Sequence, residues 1–230
     1  VRSMSTTARR TRRRSRRRTP LTRERVLEAA MTLADEQGLE ALSMRRLGAE
    51  LDVEAMSLYN HVSDKDDLLD GIVELVVADF ESPSPLKGED WRAALRRCAM
   101  RAHTALLAHP WSAALAESRP QNGPVRLGYY DTLLGTLRAA GFSDTAAYRA
   151  NLYLDSYLYG FTLQEVNWPT PASDPSEMAE AFVERTRADE YPNLTAVARL
   201  AAEDGIDLAA DFEVGLDAVL DALETLRSAE

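Results

Sequence analysis

Cysteine occurs once in this chain of 230 residues, at Cys98, and histidine three times, at His61, His103 and His109. A single thiol excludes an internal disulfide framework and fits a reducing compartment. With no CxxC partner and no second histidine at ligand spacing, Cys98 reads as a small buried hydrophobe. Long uncharged apolar runs are also missing, and nothing approaches the ~18–20 residues that span a bilayer. The chain opens on arginines, but the stretch after them carries Glu24, Glu28, Asp35 and Glu36 in place of an apolar core, which argues against a targeting peptide. Alternating polar and apolar runs are rare, so few strands are expected and helical periodicity dominates. At 45% hydrophobic and 28% charged, the composition is that of a globular protein with one or two domains, expected in the cytoplasm.

Residues 1–18 contain no acid and nine arginines, whereas the remainder holds 18 basic against 37 acidic residues, a balance of −19 inside a total of −10. A like-charge block of that kind repels itself and has nothing apolar to offset the entropy of ordering. Residues 1–20 are therefore expected to form a disordered basic arm, with Arg13, Arg14, Arg16, Arg17 and Arg18 feeding into the first helix. Such an arm releases counterions by lying along nucleic acid; a solvated tail is the plainer alternative.

The pattern predicts an all-α chain. A first helix runs from a Thr22 cap to Gln37, with Gly38 as its stop. A short second helix follows Ser43, Asp52-Val53 makes a tight connection, and a third short helix covers 54–60. Ser63 with Asp66 resembles a capping box opening a fourth helix, whose apolar face includes Leu68, Ile72, Val76 and Phe80. "SPSPLKG" at 82–88 breaks the chain. Helices are expected at 89–108, near Trp111, from Gly123-Pro124 to Gly141, at 143–167, in one or two pieces over 177–204, and at 207–227, with a mobile loop at 168–177. The domain reading is an arm at 1–20, a helix-turn-helix unit at 21–66, and an effector-binding and dimerisation unit at 67–230 whose first helix, 67–81, links the two.

Three short helices within about fifty residues, with a tight turn between the second and third, can hold the third helix so that it enters a major groove. Leu47, Leu51, Val53, Leu58 and Val62 would fix the crossing, and Gly48 leaves room for it; Ala55, Met56, Ser57, Asn60 and His61 then fall on the free side. An acid-base cluster is disfavoured, because no carboxylate or second nucleophile converges on His61.

"SMRRLGAELDVEAMSLYNHVSDKDDLLDGI" resembles the DNA-binding unit of TetR-family transcriptional regulators through Leu58, Tyr59, His61, Lys65 and Leu68, with Asp52 where that family usually has glycine. Aspartate is one of the few residues that enters the left-handed region at tolerable cost. The resemblance implies that Tyr59 and His61 contact phosphates, with Lys65 near the backbone, and that Ala55, Met56, Ser57 and Asn60 face base edges. Arg45 would reach a base or a phosphate. Asn60 suits adenine and Arg45 guanine, while Ala55 and Met56 offer apolar contact.

The second half concentrates aromatics. Tyr153, Tyr157 and Phe161 recur every four residues, and rings with polar tips suit a planar ligand, although core packing is the plainer reading of any one ring. The candidate ligand residues are His103, Leu107, Trp111, Tyr130 and Leu134, joined by Tyr153, Tyr157, Phe161, Gln164 and Trp168. The stretches "HPW" at 109–111 and "GFSD" at 141–144 make this half similar to tetracycline-repressor-like regulators. That resemblance implies a dimer through a four-helix bundle, with Leu152 and Tyr159 of one helix and Phe212, Leu216, Val219, Leu220 and Leu223 of the last as candidate interface residues. Gly160 and Gly215 would allow close packing there. Tetracycline repressors hold a magnesium-chelated drug through histidine and glutamate, and have a polar histidine at the end of the fourth helix; Glu81 occupies the last of these positions, and no histidine lies between Trp111 and Trp168. No metal and no cofactor is therefore expected, and the effector is a small hydrophobic or aromatic molecule.

The sequence thus points to a homodimeric, nucleoid-associated repressor that binds double-stranded operator DNA and is released by a small-molecule effector. It is not expected to be an enzyme or to engage a membrane. The rival reading is an architectural DNA-binding protein without effector. The acidic residues Glu50, Asp52, Glu54 and Asp64 surround the reading stretch, so the arm should carry much of the phosphate attraction. Deleting residues 1–18 is expected to weaken operator binding strongly and to flatten the dependence of log K on log salt; an unchanged slope in a salt titration would refute this role for the arm.

Overall fold

The computed structural model describes residues 20–120, 123–168, 181–186 and 189–228. These form an all-helical chain. α1 (Arg23–Gln37) is capped by the Thr22 side chain, which accepts from the Arg25 amide, and it stops at Gly38 with φ 79°. A 3-10 turn at Leu39–Ala41, not foreseen from periodicity, leads to α2 (Met44–Glu50), capped by Ser43. Asp52 turns the chain with φ 53°, and among the described residues it is the one non-glycine residue with positive φ. The departure from the family's glycine is therefore accommodated in the left-handed region, where a short polar side chain costs less than a bulky one.

α3 is shorter than its sequence pattern suggests. Regular helix covers Ala55–Leu58, and turns continue through His61, whose amide bonds the Leu58 carbonyl at 2.8 Å. The crossing of α2 and α3 leaves no room at Gly48: a Cβ there would lie 2.9 Å from the Val53 carbonyl oxygen. Leu47, Leu58 and Val62 are buried beneath this crossing, while Leu51 and Val53 are partly buried against the core. Full burial of each leucine contributes about 1.5–3 kcal/mol.

α4 (Lys65–Ala78) is capped by Asp64, not by Ser63 as the sequence suggested. Asp64 accepts from the Asp67 amide at 2.8 Å, and the Asp67 carboxylate accepts from the Ser63 amide at 2.8 Å, one residue before the cap, so the helix start is tied down without a reciprocal pair. Leu68, Ile72, Val73, Val76 and Val77 bury one side of α4 against both α1 and the larger helical body.

The body contains α5 (Trp91–Ala108), α6 (Ser112–Glu117), α7 (Pro124–Ala139), α8 (Asp144–Val166), α9 (Pro192–Asp204) and α10 (Leu208–Ser228). Among these, α8 is central: it packs on α5, α6, α7 and α10. A short helical stretch also occurs at 181–185, whereas most of the loop expected at 168–177 lies outside the described residues.

The stripe on α10 closes the protomer. Phe212, Leu216, Leu220 and Leu223 are buried within one chain, as is Tyr159 on α8, so these five candidate interface residues are core residues instead. Their three-and-four spacing reports burial without saying against what. Gly215 serves the same contact: Tyr157 crosses over it, and its hydroxyl donates to the Phe212 carbonyl at 2.8 Å. Gly160 borders an open cleft. Leu152 is exposed and Val219 half-buried, and the exposed apolar positions on α8 and α10 include Tyr148 and Val214.

Candidate functional site

α3 is anchored by buried Leu58, which turns its neighbours outward. Met56 is 73% exposed and Tyr59 44%; Asn60 and Lys65 are exposed, and Ala55, Ser57 and His61 are half-buried. Arg45 is exposed on the packed partner α2 and makes no hydrogen bond or ion pair among the described residues. Its neighbour Arg46 is engaged with Gln37. The residues singled out between 45 and 65 thus lie at accessible positions of one small unit, as a reading surface requires. Arg13, Arg14, Arg16, Arg17 and Arg18 lie outside the described residues.

One arginine fixes the end of this surface. Arg23 on α1 donates to the His61 carbonyl at 2.9 Å and to both carboxylate oxygens of Asp67 at 2.5 and 3.0 Å. The bidentate bond from Arg23, aided by the Ser63 amide and hydroxyl, holds the Asp67 carboxyl down at about 2. The pair is part-exposed, so its contribution is about 1 kcal/mol. Its geometric effect is larger, because a single guanidinium ties α1, the end of α3 and the start of α4.

The next acidic residues of α4 face the body. Arg119, after α6, pairs with Asp70, lies 3.2 Å from the Asp66 carboxylate, and donates to the Asp66 carbonyl at 3.0 Å. Glu74 accepts from the backbone amides of Val125 and Arg126 at 2.7 and 3.2 Å. Those amides belong to the first turn of α7, where intrahelical acceptors are lacking and a carboxylate also meets the positive end of the helix dipole. A side chain at Gly123 would collide with this carboxylate. Sequence reasoning missed this cap because nothing local announces a partner about fifty residues away.

Trp111, expected in the ligand cavity, takes another role. Its indole N–H donates to Asp35 of α1 at 2.7 Å, and His109 Nδ1 lies 2.8 Å from the same oxygen. "HPW" is therefore a second strap between the reading unit and the body. A buried or half-buried indole needs an acceptor, and Asp35 supplies it.

Three other ligand candidates meet, but they fill the space they were expected to line. His103 stacks on Phe212 at 3.7 Å, with Phe161 5.4 Å and Tyr157 5.4 Å from the same ring. Burial lowers the His103 pKa against the opposing pull of Glu165, 2.8 Å from Nε2. Tyr153, Gln164 and Trp168 are exposed, so they do not join this cluster, and Leu107 is half-buried on α5. The helix face read from Tyr153, Tyr157 and Phe161 is thus split between surface and core.

Open space lies on another face of α8. A cleft of about 530 Å³ is lined by Glu117 of α6 and by Asn151, Leu152, Asp155, Ser156, Tyr159, Gly160 and Leu163. The half-buried Tyr130, on α7 with Leu134, lies beside Asp155. Burial pushes the Asp155 carboxyl up to about 7 against the counter-effect of the nearby Tyr130 hydroxyl, and burial also raises the Tyr159 and Tyr130 hydroxyls. Nearby, the Tyr129 hydroxyl and Cys98 thiol share a 2.9 Å contact, and burial raises the thiol to about 11, consistent with an inert core cysteine. Asn151, Asp155 and Tyr159 recur every four residues along α8, a polar row that the sequence displays and that the aromatic count obscured. No group of three or more His, Cys, Asp or Glu among the described residues is placed to hold a metal ion.

Comparisons with known proteins agree with this layout. Residues 26–72 match the family model "Bacterial regulatory proteins, tetR family", and residues 84–227 match "Tetracyclin repressor-like, C-terminal domain". The HTH-type transcriptional repressor DrrR1 of Streptomyces coeruleorubidus is 34% identical over 212 residues, covering 90% of this chain and 78% of that protein. The class D tetracycline repressor of Escherichia coli is 33% identical over 211 residues, covering 90% and 87%. Among solved structures, Streptomyces coelicolor ActR in complex with actinorhodin superposes with a TM-score of 0.76 at 29% identity, covering 90% of this chain and 98% of that one.

The Arg23 pair gives a signed prediction. Because the Asp67 carboxyl is held near 2 against an ordinary 3.8, its stabilisation is present above about pH 4 and is lost as pH falls towards 2. Asp67→Asn should lower stability by about 1 kcal/mol at neutral pH and make the loss between pH 4 and 2 shallower, as followed by urea unfolding across that range.

Proposed function

The chain belongs to the tetR family of bacterial transcriptional regulators, and on that premise we propose that it is a ligand-responsive repressor, released from its operator by a small, largely apolar effector bound in the helical body. The observation that carries the reading is the double attachment of α4. Its first turn holds the reading unit through Arg23, and its next two turns hold α6 and α7 through Arg119 and Glu74. A ligand that favours another arrangement of α6, α7 and α8 would therefore move the reading helices, to the extent of its differential affinity for the two arrangements.

The reading residues divide by chemistry. Tyr59, His61 and Lys65 would position the unit on phosphates. Asn60, Ser57 and Arg45 would distinguish bases, with Met56 and Ala55 against a thymine methyl. Two copies are needed to read paired half-sites, and the exposed Tyr148 and Leu152 of α8 with Val214 of α10 are the apolar surface we assign to that contact. The effector cleft is the space beside Asn151, Asp155 and Tyr159, with Tyr130 and Leu134 on the adjoining α7. ActR, whose structure was determined in complex with actinorhodin, supports a small-molecule site in the helical body. Regulation of transcription requires no catalytic step, and we assign none.

The rival, an architectural protein that grips backbone alone, predicts a different mutational pattern. After selection of bound sequences from random DNA, Asn60→Ala should cost about 1–3 kcal/mol on the selected site and little on unrelated DNA, while Tyr59→Phe should weaken both alike. Equal losses on both DNAs for Asn60→Ala, measured by fluorescence anisotropy, would favour the architectural reading.

A further inference from the structure

The cleft beside α8 is rich in acceptors and has no cation of its own. Among the described residues that line it, Glu117 and Asp155 carry carboxyl groups, Asn151 and Tyr159 are polar, and Leu152 and Leu163 are apolar, while none is a lysine, arginine or histidine. Its volume of about 530 Å³ falls within the ~300–1,000 Å³ typical of small-molecule sites. The two carboxyls come from different elements, Glu117 from α6 and Asp155 from α8, so the charge belongs to the cleft and not to one helix face. Asn151, one turn before Asp155, adds an Oδ1 that is buried and accepts no hydrogen bond among the described residues.

The groups around Asp155 leave its charge largely uncompensated. Burial pushes the carboxyl up to about 7, the Tyr130 hydroxyl beside it on α7 acts in the opposite direction, and Glu117 repels it. Arg126, also on α7, has the weakest influence of the four and spends Nη2 on the Ala116 carbonyl at 3.3 Å. The other titratable groups affected by Asp155 are the Cys98 thiol of α5 and the Tyr129, Tyr130 and Tyr159 hydroxyls, each raised and therefore neutral near pH 7. A carboxylate opposed by burial and by a second carboxylate gains when a cation arrives, because the new charge offsets both. Glu117 is exposed, so its own attraction is screened and smaller.

We propose that this cleft takes a mainly apolar ligand bearing a protonated amine, its ammonium group held by Asp155 with help from Glu117 and its apolar part against Leu152, Leu163 and the ring of Tyr159. This rests on the reading of the cleft as the effector site and deepens it by naming the charge of the ligand. An ammonium group has donors and no acceptor, which suits a lining supplied with carboxyl and carboxamide oxygens. The position of Glu117 also has a consequence for transmission, because it ends α6 two residues before Arg119, whose guanidinium pairs with Asp70 of α4. A cation that attracts Glu117 towards α8 pulls on the end of α6 that α4 holds. Gly160 borders the same space, and a Cβ there would meet nothing within 4 Å, so a side chain at this position enters the cleft without displacing the fold.

The test uses the full chain at about pH 8, where Asp155 is above its titration point and a primary amine stays largely protonated. The probes are 2-naphthylmethylamine, the neutral 2-naphthylmethanol and the anion 2-naphthoate, with binding read by isothermal titration calorimetry. The amine should bind at least about 10-fold more tightly than the alcohol, the effect of a charge-assisted bond in a partly desolvated site, and the naphthoate more weakly than either. Asp155→Asn should bring the amine close to the alcohol, and Glu117→Gln, at an exposed position, should cost the amine about two- to fivefold. Gly160→Leu should weaken amine and alcohol alike, by about 10-fold, by occupying the space. Equal binding of amine and alcohol, tightest binding of the naphthoate, or no binding of the amine would each overturn the proposal. So would an amine preference that survives both carboxyl substitutions, or amine binding unchanged in Gly160→Leu. Failure of the effector reading looks different: the amine would show every one of these preferences yet leave the affinity for a selected DNA site unchanged.

Discussion

Along α4, Asp67 accepts both arms of the Arg23 guanidinium, and Asp70 and Glu74, one and two turns further on, accept Arg119 and the first amides of α7. Three carboxylates on one short helix therefore join the reading unit to the body, each facing a group fixed in a different element. None of these bonds is strong alone, since part-exposed ion pairs contribute about 1 kcal/mol or less. Their value is positional. With the apolar side of α4 buried against α1 and the body together, the carboxylates determine where along and around that contact the helix sits. The Asp35 strap to His109 and Trp111 adds a second attachment at the far end of α1.

The charge distribution follows the same division. The body is acidic, and many of its arginines, Arg92, Arg96, Arg97 and Arg119 among them, are committed to carboxylates within the fold. Near α3 the exposed cations are few and acids are close, so a polyanion meets an almost neutral face. In the proposed reading, the separate basic segment at 1–18 supplements that face, supplying attraction without sequence preference while α3 supplies selectivity.

How much of this was legible in the sequence depended on whether the governing contact was local. The caps at Thr22 and Ser43, the left-handed Asp52, the close approach at Gly48 and the exposure of Met56, Tyr59 and Asn60 all follow from neighbours a few residues away, and each is where the sequence pattern put it. The cap of α4 slipped by one residue because Ser63 and Asp64 are both good caps, and the choice between them is made by Asp67 reaching back. The apolar stripe of α10 was legible as a stripe, but whether Phe212, Leu216, Leu220 and Leu223 face their own chain or another copy is set by α5 and α8, which periodicity does not report. Aromatic spacing misled for a related reason. Tyr157, Phe161 and His103 converge on Phe212 and fill their own space, while the open cleft is marked by the polar row Asn151, Asp155 and Tyr159. The roles of Trp111 and Glu74 depend on partners fifty or more residues distant and leave no local trace.

The most direct test of α4 as the transmitting element is amide hydrogen exchange on the ligand-free chain, comparing the parent with a Glu74→Ala, Arg119→Ala double variant. The account predicts faster exchange along α4 and also in α1–α3, residues 23–58, although neither substituted residue lies in that unit. Acceleration confined to α6 and α7, with α1–α3 unchanged, would contradict it.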